Sequence, residues 1–556
     1  FRYNSANGLS APSLKARAFH QPVSGKIVAE GVRGTTRTRI EANGKIALTD
    51  LTTWLGMAGQ KLPVSGTLPY KLNVILDGNS QLQVDSNRQG LAVDLPAPFG
   101  KRADETRAAQ FRMPLTEKQP SYSAKYAELA SLALALPDGN LAGARAELVL
   151  GGQSARLPTD PGISVRGKIA ELDIAPWQAL IESYSVPGSS VNQDMLRSVN
   201  LQVAHFQGFG LEAADLGINL KRAGAAWQVG LHSAVVDGNV TVPDLTGQPI
   251  VLNLKRVNLP EPATSEAEAI ARPDPLAAIE PSSIPPLDVQ IDQVLLGGKA
   301  LGASSFKLRP AANGVLFSEL KLNLSGLLIT GSAGWDGRKG ASSSWYKGRL
   351  QGTDLAKVLL AWNYEPSVSS ERFRVDANVS WPGSPPWISL ARMSGSLNGS
   401  IHNGSFTEVK GSGSNALRVF GLLNFSAIGR RLRLDFSDLF GKGLAFDRVK
   451  VLLEGTNGVY VTREPLAIKG PSIDLQMNGT LDMLRQQINA KLFVTLPVSN
   501  TVAMGALLVG APIVAGAIFV VDKVADKMFG FGTSSLTRVQ YQVVGPMADP
   551  KITFFK

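Results

Sequence analysis

The chain has 556 residues, of which 44% are hydrophobic, so it can bury a large apolar surface. Lys and Arg outnumber Asp and Glu by 56 to 45, and the net charge of +11 favours anionic partners such as nucleic acid or acidic lipid head groups. Cysteine is absent, which excludes thiol catalysis, disulfides and cysteine-based zinc sites. The chain starts at Phe1 without a signal peptide or an N-terminal apolar span, so we expect it to be a piece of a longer protein.

Three segments share one pattern, in which an Asp follows six residues after a Gly. They read GKIALTDLTTW, GKIAELDIAPW and GRLQGTDLAKV, and they begin at Gly44, Gly167 and Gly348. Asp is a favoured N-cap because its carboxylate accepts a hydrogen bond from a free backbone N–H of the first helical turn. Each segment therefore predicts a strand that ends, a short capped helix and a return to strand. The predicted structural caps, as opposed to catalytic acids, are Asp50, Asp173 and Asp354.

Period-two alternation of apolar and polar residues recurs along the chain, as in residues 320–325, 432–436 and 488–496. Each run forms a strand with one apolar and one polar face, and the Gly, Asn and Asp clusters between runs indicate antiparallel turns. The predicted fold class is mainly β: an elongated, curved, largely antiparallel sheet that forms an open hydrophobic groove, with short interspersed helices. The alternative to an open groove is that the apolar faces of these strands form a plain hydrophobic core. The candidate groove-lining residues are Leu320, Leu322, Leu324, Leu432, Leu434, Phe436, Ile473, Leu475, Met477, Ile488, Ala490, Leu492, Val494 and Leu496.

Motifs that are typical of enzymes are weak in this sequence. Residues 411–416 fit G-x-G-x-x-A, but no βαβ alternation surrounds them, so we interpret them as a flexible turn. Ser344 and Lys347 form an S-x-x-K without its partner motifs. The four His residues have no metal-binding spacing. We therefore predict no catalytic residues, no metal site and no cofactor.

Residues 501–521 carry no charge and are long enough to cross a bilayer. Pro512 divides this run, and alternating strands flank it at 488–496 and 539–543, which favours one compartment for both flanks. We predict a C-terminal hydrophobic helical segment at 501–528 that touches a membrane, or closes the groove's end, without crossing. A true span and a buried core helix are the alternatives. The candidate membrane-contact residues are Val502, Leu507, Leu508, Val509, Ile513, Val514, Ile518 and Phe519.

Several stretches resemble the YhdP family of AsmA-like proteins, in that family's order along nearly the whole chain. They are GLAVDLPAPFGK at 90–101, IPPLDVQIDQVLLGGKALG at 284–302, LNLSGLLITGSAGW at 322–335, residues 411–449 and the ending GPMADPKITF. The resemblance implies a Gram-negative envelope protein whose periplasmic β-groove carries phospholipid between the inner and the outer membrane. It also implies an N-terminal inner-membrane anchor that is absent from this chain.

The expected partners are phospholipids and the two membranes, and not nucleic acid, because no basic helix or recognised nucleic-acid-binding fold supports the charge. The alternative function is a scaffold or assembly factor for outer-membrane and other envelope proteins, which would act by strand addition at a sheet edge. The predicted segments are a β-groove with helix-containing repeats at 1–258, a Pro-, Glu- and Ala-rich loop or linker at 259–286, an AsmA-like C-terminal β-groove at 287–500, the hydrophobic helical segment at 501–530 and terminal strands at 531–556.

Overall fold

The computed structural model describes residues 1–4, 8–30, 37–54, 62–87, 89–116, 121–137, 143–184, 195–209, 211–260, 271–362, 366–406, 444–471, 473–497, 536–547 and 550–554. The chain divides into two compact units, Phe1–Asp244 and Leu245–Lys556, here called unit 1 and unit 2. The predicted segment boundary after residue 258 stays a prediction; residue 258 lies in a strand that pairs with the next strand of unit 2.

Three short α-helices lie within the described ranges, and each begins within one of the three repeated segments: α1 (Leu48–Trp54), α2 (Ile174–Tyr184) and α3 (Leu355–Ala361). Asp354 is the N-cap of α3, and its carboxylate accepts a hydrogen bond from the backbone N–H of Lys357 at 3.2 Å. Asp173 directly precedes α2 and accepts from the N–H of Ala175 at 3.1 Å. Asp50 differs from the prediction, because strand pairing stops at Ala47 and α1 begins at Leu48, which places Asp50 inside the first turn.

Unit 1 is built mainly from strands that pair with their neighbours in the sequence; the exception is the strand at Leu91–Val93, which pairs with Val64–Leu76 and is skipped by the pairing of Gln81–Ser86 with Ala109–Pro114. Its strands are β1 (Arg2–Asn4), β2 (Gly8–Ala18), β3 (Gln21–Ala29), β4 (Thr38–Ala47), β5 (Val64–Leu76), β6 (Gln81–Ser86), β7 (Leu91–Val93), β8 (Ala109–Pro114), β9 (Ser121–Tyr126), β10 (Ala130–Ala135), β11 (Arg145–Leu150), β12 (Gly162–Asp173), β13 (Leu196–Gly208), β14 (Leu211–Ala223), β15 (Ala226–His232) and β16 (Val236–Pro243). The described pairs are antiparallel except β11 with β12 and β12 with β13, which are parallel.

Unit 2 follows the same plan. Its strands are β17 (Ile250–Leu259), β18 (Leu287–Leu296), β19 (Lys299–Ala311), β20 (Gly314–Leu324), β21 (Leu327–Arg338), β22 (Ala341–Gly352), β23 (Val368–Pro382), β24 (Ser394–Phe406), β25 (Leu444–Thr456), β26 (Val459–Lys469), β27 (Asp474–Asp482), β28 (Gln487–Pro497), β29 (Leu536–Pro546) and β30 (Lys551–Phe554). β17 and β18 are parallel, and every later described pair is antiparallel. The predicted class, mainly β with open, largely antiparallel sheet and short helices, is confirmed.

The described part of the predicted linker, residues 271–286, is a packed loop. Leu276, Ile279 and Ile284 contact the core of unit 2. The loop is also held by hydrogen bonds: the N–H of Ser384 donates to Asp274 at 2.9 Å, and the indole of Trp387 donates to the carbonyl of Arg272 at 2.8 Å. This loop makes the connection that the parallel pairing of β17 and β18 requires.

Candidate functional site: an apolar sheet face in each unit

One row of directly opposed residues crosses unit 1 from β2 to β16, with one residue from every strand except β7. Directly paired residues point to the same face of a sheet, so the row defines one face. Every member is aliphatic, aromatic or glycine. In order, the row is Leu14, Gly25, Ala42, Leu72, Val84, Phe111, Ala124, Leu132, Leu148, Val165, Val199, Leu220, Val229 and Val240. We call it the apolar row of unit 1.

The rows on either side widen this face, because residues two apart in a strand share a face. One neighbouring row contains Ala11, Ile27, Ile40, Val74, Leu82 and Met113. The other contains Ala109, Tyr126, Ala130, Leu150, Gly167, Leu201, Ile218 and Leu231. Except for buried Ala42, the apolar row itself is half-buried. A broad apolar surface thus stays partly open to solvent.

The opposite face of unit 1 is mainly polar, although its row also includes buried Val149 of β11. The residues next in sequence to members of the apolar row form a second row of direct pairs: Lys15, Ser24, Asn43, Lys71, Asp85, Gln110, Lys125 and Ser131. Part of this face lines a cleft of about 690 Å³ that includes Asn43, Lys71 and Asp85. The loop that joins β11 to parallel β12 also packs here, since Ala155 N–H donates to Ser131 at 3.0 Å. The connection therefore leaves the apolar face clear.

Unit 2 repeats this arrangement. Its apolar row starts with Leu254, Ile291, Ser304, Leu322, Ile329, Leu350, Val375, Gly399 and Val451, which are direct neighbours on β17 to β25. An irregularity in β26 shifts the register. The row then continues with Leu466, Met477, Leu492 and Tyr541. We call these residues together the apolar row of unit 2.

The structure brings the described candidate lining residues together on this face. Leu322, Met477 and Leu492 belong to the apolar row itself. Adjacent positions on the same face are held by Leu320, Leu324, Leu475, Ile488, Ala490 and Val494, and Ile473 directly precedes β27. Leu496 is in β28, but its side chain lies outside the described residues, as do Leu432, Leu434, Phe436 and all eight candidate membrane-contact residues.

Burial changes along the apolar row of unit 2. Leu322, Ile329, Leu350, Val375 and Val451 are half-buried. From β26 onward the members are enclosed, and Leu492 and Met477 are only 0% and 2% exposed within one large core cluster. The alternating sequence pattern is the same in both parts, so sequence alone does not distinguish an open lining from an enclosed core.

Two elements cover the ends of β18 and leave the apolar row between them. The loop at 271–286 packs on Val289 near the start of the strand. Residues Ala361 and Trp362, at the end of α3, pack near Val294 and Leu296 at the strand's end. Half-buried Ile291 touches both clusters from the middle. At β18, Ile291 of the apolar row therefore lies between two covered strand ends.

In unit 1 a comparable covering element comes from the stretch at 90–101. Lys101 is buried, and its ammonium donates hydrogen bonds to the carbonyls of Leu91 and Arg102 at 2.5 and 2.9 Å. Phe99 packs edge-on against Trp177 of α2, with ring centroids 6.1 Å apart, and its carbonyl accepts from the Tyr126 hydroxyl at 3.1 Å. Sequence patterns did not predict a role for Lys101, although it ends an apolar, Pro-rich stretch.

The enzyme-like motifs do not form a site in the described residues. Ser344 is buried and donates to the carbonyl of Gly383 at 2.8 Å, while Lys347 is on the opposite face of β22. Residues 411–416 lie outside the described part. Within the described ranges, no three His, Asp or Glu side chains are grouped to hold a metal ion. None of the described helices has the length and apolarity needed to cross a membrane.

These features define a class: a β protein in which each unit keeps one face apolar across successive strands. Within it, the chain belongs to the YhdP protein family, whose sequence profile matches residues 1–552, and the predicted resemblance is confirmed. The chain is similar to the intermembrane phospholipid transporter YhdP of Escherichia coli (strain K12), with 27% identity over 224 residues. That alignment covers 40% of this chain and 17% of the relative. No solved structure matches the chain.

Proposed function

We propose that this chain is part of a bridge-like lipid transfer protein that conducts phospholipids between two membranes. In this proposal the acyl chains lie on the apolar faces of the two units, and the head groups remain in water. The observation that carries it is the apolar row of unit 1, which runs from β2 to β16 without one charged or polar member and is still half-open to solvent. The name of the Escherichia coli relative supports the choice of phospholipid as cargo.

A lipid with two acyl chains of about 16 carbons loses roughly 25 kcal/mol of hydrophobic stabilisation in water, at about 0.8 kcal/mol per CH₂. In unit 1 each strand that contributes to the row supplies an apolar residue or Gly, which lets acyl chains move from one strand to the next at nearly constant free energy. In unit 2, buried Ser304 is a polar member of the row. A charged residue in the row would create a barrier, and none is present in the described members.

For unit 2 we propose that half-buried Leu320 and Leu322 line the path together with Ile329 and Leu350. Leu324 is buried in the cluster at the end of β18. The enclosed candidates are Ile473, Leu475, Met477, Ile488, Ala490, Leu492 and Val494. In this proposal these residues form an enclosed apolar core at the end of the sheet, and lipid reaches them only where the core opens. We assign residues 501–528 to membrane contact, on the basis of sequence, and we place the protein in the periplasm, joined to the inner membrane by a preceding anchor.

A second candidate function is a scaffold that assembles envelope proteins by strand addition. The observation in its favour is the open sheet, since an unpaired edge can accept another strand. That function, however, does not need an apolar face across successive strands. Bound lipid rather than a bound client strand therefore distinguishes the two functions.

The test is mass spectrometry of lipids extracted from the purified chain, combined with phospholipid transfer between donor and acceptor vesicles. Leu322→Glu places a charge on the apolar row, whereas Asn323→Glu places the same charge on the exposed polar face of the same strand. We expect copurified phospholipid in the wild type and in Asn323→Glu, and at least a tenfold lower content and transfer rate in Leu322→Glu. No phospholipid in the wild type, or equal transfer by both variants, would overturn the proposal.

A further inference from the structure

Four basic residues oppose one another on the polar face of unit 2, and they form what we call the basic row. Arg372 of β23 pairs directly with His402 of β24, and His402 pairs with Arg448 of β25. Arg448 in turn pairs with Lys469 of β26. Lys450 adds a further positive charge two residues from Arg448 on the same face. Three successive cross-strand pairs thus bring basic residues together.

Like charges directly opposite each other destabilise a sheet, and other places in this protein avoid them. Arg349 opposes Asp376, and their ion pair measures 2.9 Å. Lys26 opposes Glu41 at 3.4 Å. The first acid in this series of paired residues is Asp474 of β27, which directly opposes Lys469. The pKa of His402 is lowered, so His402 is neutral at pH 7 and separates Arg372 from Arg448. Arg448 and Lys469 are like charges in direct opposition, and this makes the basic row an exception to the charge pairing of the polar faces.

The described acids near Arg372, Arg448 and Lys450 form no ion pair with these three residues. Asp376 on β23 is engaged by both Arg349 and Arg374, at 2.9 and 2.7 Å. Arg372, Arg448 and Lys450 are exposed, and none of them has an ion-pair partner among the described residues. Their charges remain available to a ligand.

We propose that the basic row docks the protein onto the surface of a bilayer that contains acidic phospholipids. The row crosses four strands, so it extends over about 14 Å at about 4.8 Å per strand. That length exceeds a single phosphate and fits a surface that presents many, and an anionic bilayer attracts Lys and Arg within a Debye length. The inference deepens the proposed function, because a lipid conduit has to meet a bilayer, and it adds the residues that make the contact.

The experiment measures binding of the full chain to vesicles of phosphatidylglycerol and phosphatidylethanolamine, and to neutral phosphatidylcholine vesicles, by flotation at low salt. Arg372→Gln combined with Arg448→Gln removes two charges from the basic row. The control, Lys15→Gln combined with Lys71→Gln, removes two exposed charges from the polar face of unit 1. We expect the first pair to weaken binding to acidic vesicles at least tenfold and the control pair less than twofold. Neutral vesicles should bind weakly in all cases.

Equal losses in both pairs would show a general charge effect and overturn the proposal, as would equal binding of wild type to neutral vesicles. Competition by inorganic phosphate at millimolar concentration would point to a small-anion site instead and would also contradict it. Lipid content of the same samples is a separate readout. If the basic-row variant keeps its bound lipid but loses vesicle binding, the result supports the proposal that the basic row docks the protein onto the bilayer. If the wild type binds vesicles through the row but carries no lipid, only the proposed function fails.

Discussion

Glu147 of β11 and Arg166 of β12 form an ion pair on the polar face of unit 1, with an N–O distance of 2.9 Å across a parallel strand pair. The same carboxylate accepts a hydrogen bond at 2.7 Å from the backbone N–H of Arg156, in the loop that joins the two strands. The Glu147 carboxylate therefore holds the loop between β11 and β12 against the polar face. On the other face, Leu148 and Val165 continue the apolar row without cover from the loop.

Glu147→Gln should destabilise the protein at pH 7 by about 1 kcal/mol, since Arg166 is partly exposed and solvent weakens the pair. The hydrogen bond from Arg166 is the main cause that holds the pKa of Glu147 below its usual value. Its stabilisation is therefore present above the unfolded-state pKa of about 4.3 and is lost as pH falls through the lower folded-state pKa. Urea unfolding at pH 7 and at acidic pH measures this effect. The same pH dependence in wild type and variant would contradict it.

The Asp residues at the helix N-termini differ in how much their substitution should destabilise the protein. Asp354→Ala should cost about 1 kcal/mol because the backbone N–H of Lys357 loses its acceptor, whereas Asp354→Asn should be nearly neutral. Asp50→Ala should cost only about 0.3–0.5 kcal/mol, since Asp50 interacts with the helix dipole from inside the first turn. Thermal unfolding of the three variants tests this order. A large loss of lipid transfer in Asp354→Asn at unchanged stability would show that the charge itself has a function.

Leu492→Glu should unfold or severely destabilise the end of unit 2, by about 3 kcal/mol or more, because the side chain is 0% exposed and a buried charge there has no partner. The alternating pattern alone predicts a milder effect, with the charge facing an open groove. Leu322→Glu, at a half-buried position, should leave the unfolding midpoint closer to that of the wild type. Circular dichroism melting of the two variants makes the comparison. Equal melting temperatures would show that the end of unit 2 is open.

The pKa of His402 should lie below the ordinary His value of about 6.5. Burial lowers its pKa first, followed by the positive charges of Arg372 and Arg448 on the neighbouring strands and of Lys450. Because the folded-state pKa is the lower one, the stability that His402 contributes is complete above the unfolded-state pKa and is lost as pH falls through the folded-state pKa. Titration by NMR of the four His residues checks this prediction. Arg448→Gln should raise the pKa of His402, and an unchanged value would contradict the arrangement.

Local sequence patterns predicted the strands, their apolar faces and the three helices, since alternation and capping act over a few neighbouring residues. They could not predict which residues oppose each other. Leu148 meets Val165, and Arg372 meets His402, only through strand pairing and register, which long-range contacts determine. For the same reason, the half-buried state of Leu322 and the enclosure of Leu492 were not visible in patterns that look alike.

The most direct test of the central claim is site-specific photocrosslinking in cells, with a benzophenone amino acid at neighbouring positions of one strand. Leu220 lies on the apolar row of unit 1 and Asn219 on the polar face, and Leu322 and Asn323 form the equivalent pair in unit 2. Mass spectrometry then identifies what is attached to the protein. The account predicts phospholipid adducts at Leu220 and Leu322 and none at Asn219 and Asn323. Adducts of equal yield on both faces, or on neither, would contradict it.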